Sequence, residues 1–153
     1  MNDLQPLLAL LAQAQAERDG ALAQHQQAQA THRNAQSQAS QLSDYRSDYE
    51  QRWSARFTVE GSAELLQCYQ GFANRLTQAV DHQGRMIGQT AAAVERSRLE
   101  LARQELRVAS VSKLIERRLA EVKRTGDRRE QKQHDEWTSR AAWNRSAGGN
   151  TRF

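Results

Sequence analysis

The chain has 153 residues, a formal net charge of +4, 38% hydrophobic residues and 6% aromatic residues. This composition argues against a wide globular core. Its many Ala, Gln, Arg, Glu and Leu residues and its single Pro favour long helices packed along a narrow seam. The one cysteine, Cys68, excludes a disulfide within the chain and is typical of a reducing cytoplasm.

The charge is uneven along the chain. Residues 1–60 carry five basic against seven acidic side chains, whereas residues 61–153 carry seventeen against eleven. A basic second half favours nucleic acid or an acidic protein surface as a partner. Bases and acids alternate, as around Arg117 and Arg118, and no aromatic platform accompanies them. The pattern therefore fits a solvated helix face better than a nucleic-acid site.

The first predicted element is a helix over about residues 3–59. Asn2 or Asp3 can cap it, and Pro6 is tolerated in its first turn. Small or apolar residues then recur every seven positions, which keeps one face of a helix against a partner. These residues are Leu7, Ala14, Ala21, Ala28, Ala35, Leu42 and Tyr49.

The second predicted element is a helix over about residues 63–140, after a turn at Gly61 and a cap at Ser62. It carries an unbroken apolar heptad row, which specifies a helix that supercoils around a partner. The row is Val80, Ile87, Val94, Leu101, Val108, Ile115 and Val122, with Leu76, Thr90 and Val111 interleaved. Four further leucines, Leu99, Leu106, Leu114 and Leu119, are expected to widen this stripe.

These elements predict an all-α fold, an antiparallel coiled-coil hairpin over residues 1–142 with its turn near Gly61 and a flexible tail over residues 143–153. Folding at Gly61 pairs residues whose numbers add to about 122, so that Ala14 faces Val108 and Ala28 faces Val94. Small residues then face large ones, as close packing requires. Residues beyond about Arg118 are left without a partner on the first helix.

The aromatic residues gather beside the predicted turn. A hairpin of two helices cannot bury all of them, so they form either a small satellite core or a patch that binds a partner. They are Tyr45, Tyr49, Trp53, Phe57, Tyr69 and Phe72.

The sequence offers no candidate active site. It has no Gly-rich phosphate loop and no nucleophile motif, and Asp135 and Glu136 fit an ordinary helix surface. His25 and His32 are seven residues apart, not the four of a helical metal site, and are predicted to interrupt the seam and set its register. We therefore expect no catalytic residues, no bound metal and no cofactor.

Targeting signals are not apparent either. No apolar run approaches the roughly 20 residues that cross a bilayer, and the residues after Met1 lack the basic region of a signal peptide. A cytoplasmic location is expected.

Two blocks of sequence carry a family resemblance. The first is Leu42-Ser-Asp-Tyr45-Arg-Ser-Asp-Tyr49 with Tyr69-Gln-Gly-Phe72 and Leu76-Thr-Gln-Ala79 after the turn. The second is Arg128-Arg-Glu-Gln-Lys-Gln-His-Asp-Glu-Trp137, ending in Ala141-Ala142. Together with the length and the two-helix layout, they resemble the FliJ family of flagellar type III export proteins.

The resemblance implies a non-enzymatic coiled coil similar to the central stalk of rotary ATPases. Such a protein acts in the cytoplasm, peripherally associated with the membrane-embedded flagellar export apparatus. It binds the export ATPase, promotes assembly of the ATPase ring, and contacts the cytoplasmic part of the export gate protein FlhA. It also interacts with export chaperones.

The resemblance carries one set of binding residues onto this chain, and a second set is our own hypothesis. The gate patch, expected to bind FlhA, is Gln38, Leu42, Tyr45, Tyr49, Phe72, Leu76, Ala79 and Gln83; the last replaces the family's usual His and lies next to His82. The tip surface, our hypothesis for the ATPase contact, is Leu4, Leu8, Leu11, Ile115, Arg117, Arg118, Leu119, Val122, Lys123 and Arg124.

Three other functions stay open on sequence alone. An injectisome stalk homologue has the same structural class, although the block at residues 128–142 favours the flagellar family. A chaperone or holdase for export cargo needs exposed apolar patches and works without the ATPase. A nucleic-acid-binding coiled coil is the third, and a steep salt dependence would support it.

Overall fold

The structure, a computed structural model, describes residues 4–149. It consists of two α-helices, α1 (Leu4–Val59) and α2 (Ala63–Gly148), which pack against each other as an antiparallel hairpin. The all-α fold predicted from the heptad pattern is therefore confirmed. The caps predicted at Asn2 and Asp3 lie outside the described residues, and Pro6 lies in the first turn of α1, where its missing N–H is tolerated.

The link between the helices lies where the sequence predicts it. α1 ends at Val59, and the Glu60 N–H donates to the Arg56 carbonyl over 2.9 Å. The Ser62 hydroxyl accepts the Leu65 N–H at 3.3 Å, so Ser62 caps α2 as predicted. Gly61 lies in this link. No described residue has a positive φ, so Gly61 does not adopt the left-handed conformation that favours glycine.

α2 continues further than the sequence indicates. The sequence predicts an end near Arg140 and a flexible tail over residues 143–153, but residues 143–148 are helical. The residues after Arg140 suit a helix, and the Ser146 hydroxyl donates to the Trp143 carbonyl over 2.9 Å. The first strong helix breakers are the paired glycines 148 and 149, and residues 150–153 lie outside the described part of the chain.

The packing divides the chain into two units. One combines α1 up to Ala14 with α2 from Arg107 onward, and the other runs from Gln15 to Leu106. The core of the first unit contains Ala14, fully buried, and Val111, 5% exposed. From Glu116 to Arg140 every residue of α2 is exposed, as predicted for the stretch that has no partner on α1. Val122, predicted to belong to the seam, is therefore exposed.

The second unit has a thin core made largely of small or polar side chains. Ala21, Ala35 and Leu76 are its buried apolar residues, and Gln83 and Thr90 are buried among them. The heptad residues of α2 in this unit are half-buried against the alanines of α1. Small side chains leave less apolar area to bury, so this unit gains less from the hydrophobic effect than a core of leucines would.

Two hydrogen bonds establish the register of this unit. His25 Nδ1 lies 2.9 Å from Ser97 Oγ, and His32 Nδ1 lies 2.9 Å from Thr90 Oγ1. In both pairs the residue numbers add to 122, so the predicted register is confirmed here. The interleaved positions Leu76 and Thr90 are more buried than the heptad row itself.

The leucines expected to widen the seam do not do so. Leu99 and Leu106 are 52% and 69% exposed in the second unit, and Leu114 and Leu119 are 48% and 51% exposed in the first. Because an α-helix turns about 100° per residue, Leu99 lies about 200° around α2 from the seam residue Leu101. The expectation was therefore wrong, because all four side chains are about half exposed or more, and Leu99 and Leu106 lie on the opposite face of the helix.

Candidate partner-binding surfaces

Six aromatic side chains form one cluster in the unit that runs from Gln15 to Leu106. The α1 members occur every fourth residue, which places them on one face of the helix. Tyr49 is central: its ring centroid lies 4.4 Å from Phe72, 5.7 Å from Tyr69 and 5.9 Å from Trp53. Burial against these rings raises the pKa of Tyr49 above its ordinary value.

The aromatic cluster has an inner part that packs as a satellite core and an outer part that stays accessible. Tyr49, Trp53 and Tyr69 are half-buried and pack against one another, as in a satellite core. Tyr45 is 52% exposed and Phe72 36% exposed, and their centroids lie 6.3 Å apart in an edge-on contact. The inner rings therefore hold the helices together, while Tyr45 and Phe72 remain accessible.

The predicted gate patch divides in the same way. Leu76 and Gln83 are buried, at 6% and 9% exposure. Gln83 Nε2 donates to the Ala35 carbonyl at 2.9 Å and to Gln38 Oε1 at 3.3 Å, so this side chain joins α2 to α1. The remaining six residues are exposed or half-buried: Gln38, Leu42, Tyr45, Tyr49, Phe72 and Ala79.

The burial of Gln83 was readable from the sequence but was missed. Gln83 precedes Thr90 by seven residues and therefore belongs to the same interleaved row of the seam. Its neighbour His82 is exposed and lines an open groove with Gln83 and Met86. A row position thus predicts burial better here than residue polarity does.

Polar residues continue along this row. The Thr90 hydroxyl donates to the Met86 carbonyl at 2.9 Å, and the Ser97 hydroxyl donates to the Val94 carbonyl at 2.8 Å. Because each hydroxyl has one hydrogen and uses it within α2, it accepts from the histidine that faces it. His25 and His32 therefore donate through Nδ1, and the predicted polar interruption of the seam is confirmed.

The predicted tip surface lies in the unit formed by the start of α1 and α2 from Arg107. An open groove of about 410 Å³ is lined there by Leu4, Arg118 and Val122 together with Glu121, Thr125, Gly126 and Arg129. Arg118 pairs with Glu121 at 3.5 Å, an exposed contact that leaves the guanidinium in water. The α2 members from Arg117 to Arg124 are all exposed, and Leu4, Leu11 and Ile115 are half-buried.

The described residues contain no group of three or more His, Cys, Asp or Glu that could hold a metal ion. Cys68 is exposed and free, and Asp135 accepts a hydrogen bond from Gln131 on the helix surface at 3.1 Å. Over residues 4–149, neither helix has a stretch long and apolar enough to cross a membrane.

A family comparison agrees with these features. The sequence pattern of the family described as flagellar FliJ protein matches residues 2–147. The chain belongs to the FliJ family. No curated protein and no solved structure gives a significant match to it. Membership of the FliJ family makes the chain a component associated with flagellar protein export, and the match includes both blocks that carried the resemblance.

Proposed function

We propose that this FliJ-family chain is a non-enzymatic stalk that couples the flagellar export ATPase to the export gate protein FlhA. It acts in the cytoplasm at the membrane-embedded export apparatus, promotes assembly of the ATPase ring, and interacts with export chaperones. Family membership supports the setting of the proposal, and the exposed surfaces of the two units support its contacts.

The proposed ATPase contact rests on residues 116–140 of α2, all of which are exposed. Leu119 and Val122 are about half exposed, and Arg117, Lys123 and Arg124 are exposed beside them. Exposed apolar residues with a basic rim are suited to a partner surface that is apolar and acidic. We assign the tip surface to the ATPase on this ground.

The gate contact rests on the accessible part of the aromatic cluster. Tyr45 and Phe72 combine apolar area with rings held by their neighbours, and aromatic residues of this kind dominate many interfaces. Leu76 and Gln83 belong to the proposed gate patch as supporting residues, because their own side chains are buried and Gln83 donates to Gln38 Oε1.

The test of the stalk function is ATP hydrolysis by the cognate export ATPase with and without the full chain, while ring formation is followed by sedimentation. We expect more rings and faster hydrolysis when the chain is present. A chain that binds unfolded export cargo equally well without the ATPase, and changes neither ring formation nor hydrolysis, would instead favour the escort function.

A further inference from the structure

α2 carries a second row, made of small and apolar residues and one glutamate, in the unit that runs from Gln15 to Leu106. Alternating steps of four and three residues join its members, the same spacing that builds a coiled-coil seam. We call these residues the outer row: Gly88, Ala92, Glu95, Leu99, Ala102 and Leu106. All are exposed, Leu99 by 52% and Leu106 by 69%, so the outer row faces away from α1.

The outer row contains one carboxylate, that of Glu95, which pairs with Arg98 at one edge of the row. Arg98 donates to both oxygens of Glu95, at 2.7 Å and 3.0 Å. This hydrogen-bonded pair holds the pKa of Glu95 below its ordinary value. The charge of Glu95 is thus balanced by Arg98 on the same helix. The residues of the row after Glu95, which are Leu99, Ala102 and Leu106, are all apolar.

The other edge of the outer row is basic. Arg96 and Arg103 each follow a row residue by one position and are seven residues apart, so they lie on the same edge of the helix. Arg103 pairs with Glu100 at 3.1 Å while its side chain stays 75% exposed, and such surface pairs exchange readily with other carboxylates. A helix that covers the outer row therefore meets two guanidinium groups along this edge.

These charges disfavour a second copy of the chain as the occupant. In an antiparallel pair of identical rows, like edges meet, so the register that places Arg98 of one copy opposite Glu105 of the other also places Arg96 opposite Arg103. In a parallel pair, opposite edges meet, and Arg98 of one copy then faces Arg103 of the other. Both arrangements place like charges together, which destabilises the pairing.

We propose that the outer row is a docking surface for an amphipathic helix of a different protein. The apolar stripe of that helix covers Leu99 and Leu106, and its carboxylates face Arg96 and Arg103. The outer row spans about 27 Å, or five turns of helix, which suits a helix laid along α2. The outer row shares no residue with the gate patch or the tip surface, so this contact can be tested separately from the stalk function.

The test uses a labelled synthetic peptide of three heptads, with Leu at the core positions and Glu on both edges. Repulsion between the glutamates keeps the peptide from pairing with itself. A matched peptide carries Lys in place of Glu. In fluorescence anisotropy with the full chain, we expect the Glu peptide to bind at least about tenfold more tightly than the Lys peptide.

Variants of the full chain locate the contact. The double change Leu99→Asp and Leu106→Asp should abolish binding of the Glu peptide, whereas Leu66→Asp, at another exposed leucine of the same unit, should leave it unchanged. The double change Arg96→Glu and Arg103→Glu should reverse the preference toward the Lys peptide. That gain of binding cannot come from a variant that has failed to fold.

Three outcomes would overturn the proposal. The first is equal affinity for the two peptides, and the second is binding that survives the Leu99→Asp and Leu106→Asp changes. The third is a dimer of the unmodified chain in sedimentation velocity that the same double change makes monomeric, which would assign the outer row to a second copy.

Discussion

Single residues decide how the thin seam of the second unit is held together. Gln83, Thr90 and Ser97 follow one another at intervals of seven on α2, and each makes a hydrogen bond to α1. Gln104 is the next residue of this row. Its Oε1 is buried and is the one such side-chain atom without a hydrogen-bond partner in the described part of the chain. The row thus contains satisfied and unsatisfied positions that can be compared directly.

Gln104→Leu should stabilise the chain. The substitution gives up the hydrogen bond from Gln104 Nε2 to Glu100 Oε1 within α2, but it removes a buried acceptor that has no partner. Such an atom costs about 1–3 kcal/mol when it is left unsatisfied. Gln83→Leu is the matched control, because it gives up two hydrogen bonds to α1. In urea unfolding, the free energy of the Gln104 variant should exceed that of the Gln83 variant by about 1 kcal/mol. Equal values would mean that the Gln104 oxygen is solvated.

Thr90→Val should destabilise the second unit by about 1 kcal/mol, since it leaves His32 Nδ1–H without its acceptor. Replacing His32 by Leu in the same chain should recover most of this loss, because both polar groups are then removed. A double-mutant cycle followed by thermal unfolding measures the coupling. The pair His25 and Ser97 is left unchanged in every variant. Strictly additive effects would contradict the hydrogen bond between His32 and Thr90.

The gate patch should separate into contact residues and supporting residues. Tyr45→Ala removes an exposed ring, so it should weaken binding to the cytoplasmic part of FlhA with little change in Tm. Leu76→Ala empties a buried position and should lower the free energy of unfolding by about 2 kcal/mol. Leu66→Ala, at an exposed leucine outside the patch, should change neither property. Unchanged FlhA binding by the Tyr45 variant would remove that residue from the gate contact.

At the scale of elements, the two helices differ in what stabilises them. Along α1, the residues at seam positions pack against α2, whereas residues 116–140 of α2 are all exposed. Isolated helices without such packing are marginal in water. Local contacts still contribute there, since the Thr125 hydroxyl donates to the Glu121 carbonyl and Gln131 donates to Asp135.

Truncation after Thr125 should therefore remove helix without unfolding the hairpin. Circular dichroism should fall roughly in proportion to the residues lost, while the thermal midpoint stays within a few degrees of that of the full chain. The physical reason is that residues 126–149, apart from Ala141, are exposed. A truncation after Ser97 is the control and should unfold the hairpin, because it removes Leu101 and Val108 from the seam. A large drop in midpoint for the first truncation would show that the removed residues pack elsewhere.

At the scale of the whole molecule, most of the basic charge lies in the second half of the chain. Residues 1–60 carry five basic and seven acidic side chains, residues 61–153 carry seventeen and eleven, and the chain belongs to a flagellar export family. A partner contact made through the second half is therefore expected to depend on salt, since exposed charges are screened within about 8 Å at physiological ionic strength. The tip surface is the part of the proposed function where this matters.

Charge reversal at Arg117, Arg118, Lys123 and Arg124 should weaken binding to the export ATPase without lowering helicity, because all four side chains are exposed. Reversal of Arg140 and Arg145 is the control, since these residues are also exposed but lie outside the tip surface. Binding is measured by titration at two salt concentrations, and helicity by circular dichroism. If the four-residue variant binds as well as the unmodified chain, the tip surface is not the ATPase contact.

The sequence by itself determined the features that depend on periodicity. Seven-residue spacing in both halves, with a cap at Ser62, established two helices and their pairing, because a seam of this period has one way to bury its apolar row. The register followed from matching small residues to large ones, and His25 and His32 meet Ser97 and Thr90 as that register requires.

Only the tertiary structure decided which side chains remain available to partners. Leu99 and Leu106 looked like seam residues, and residues 143–148 like part of a tail. Hydrophobicity alone does not reveal the face of a helix on which a leucine lies when several rows overlap, and polarity does not reveal whether an amide finds a partner inside. The opposing helix determines both, because it covers one face of α2 and leaves the other to water.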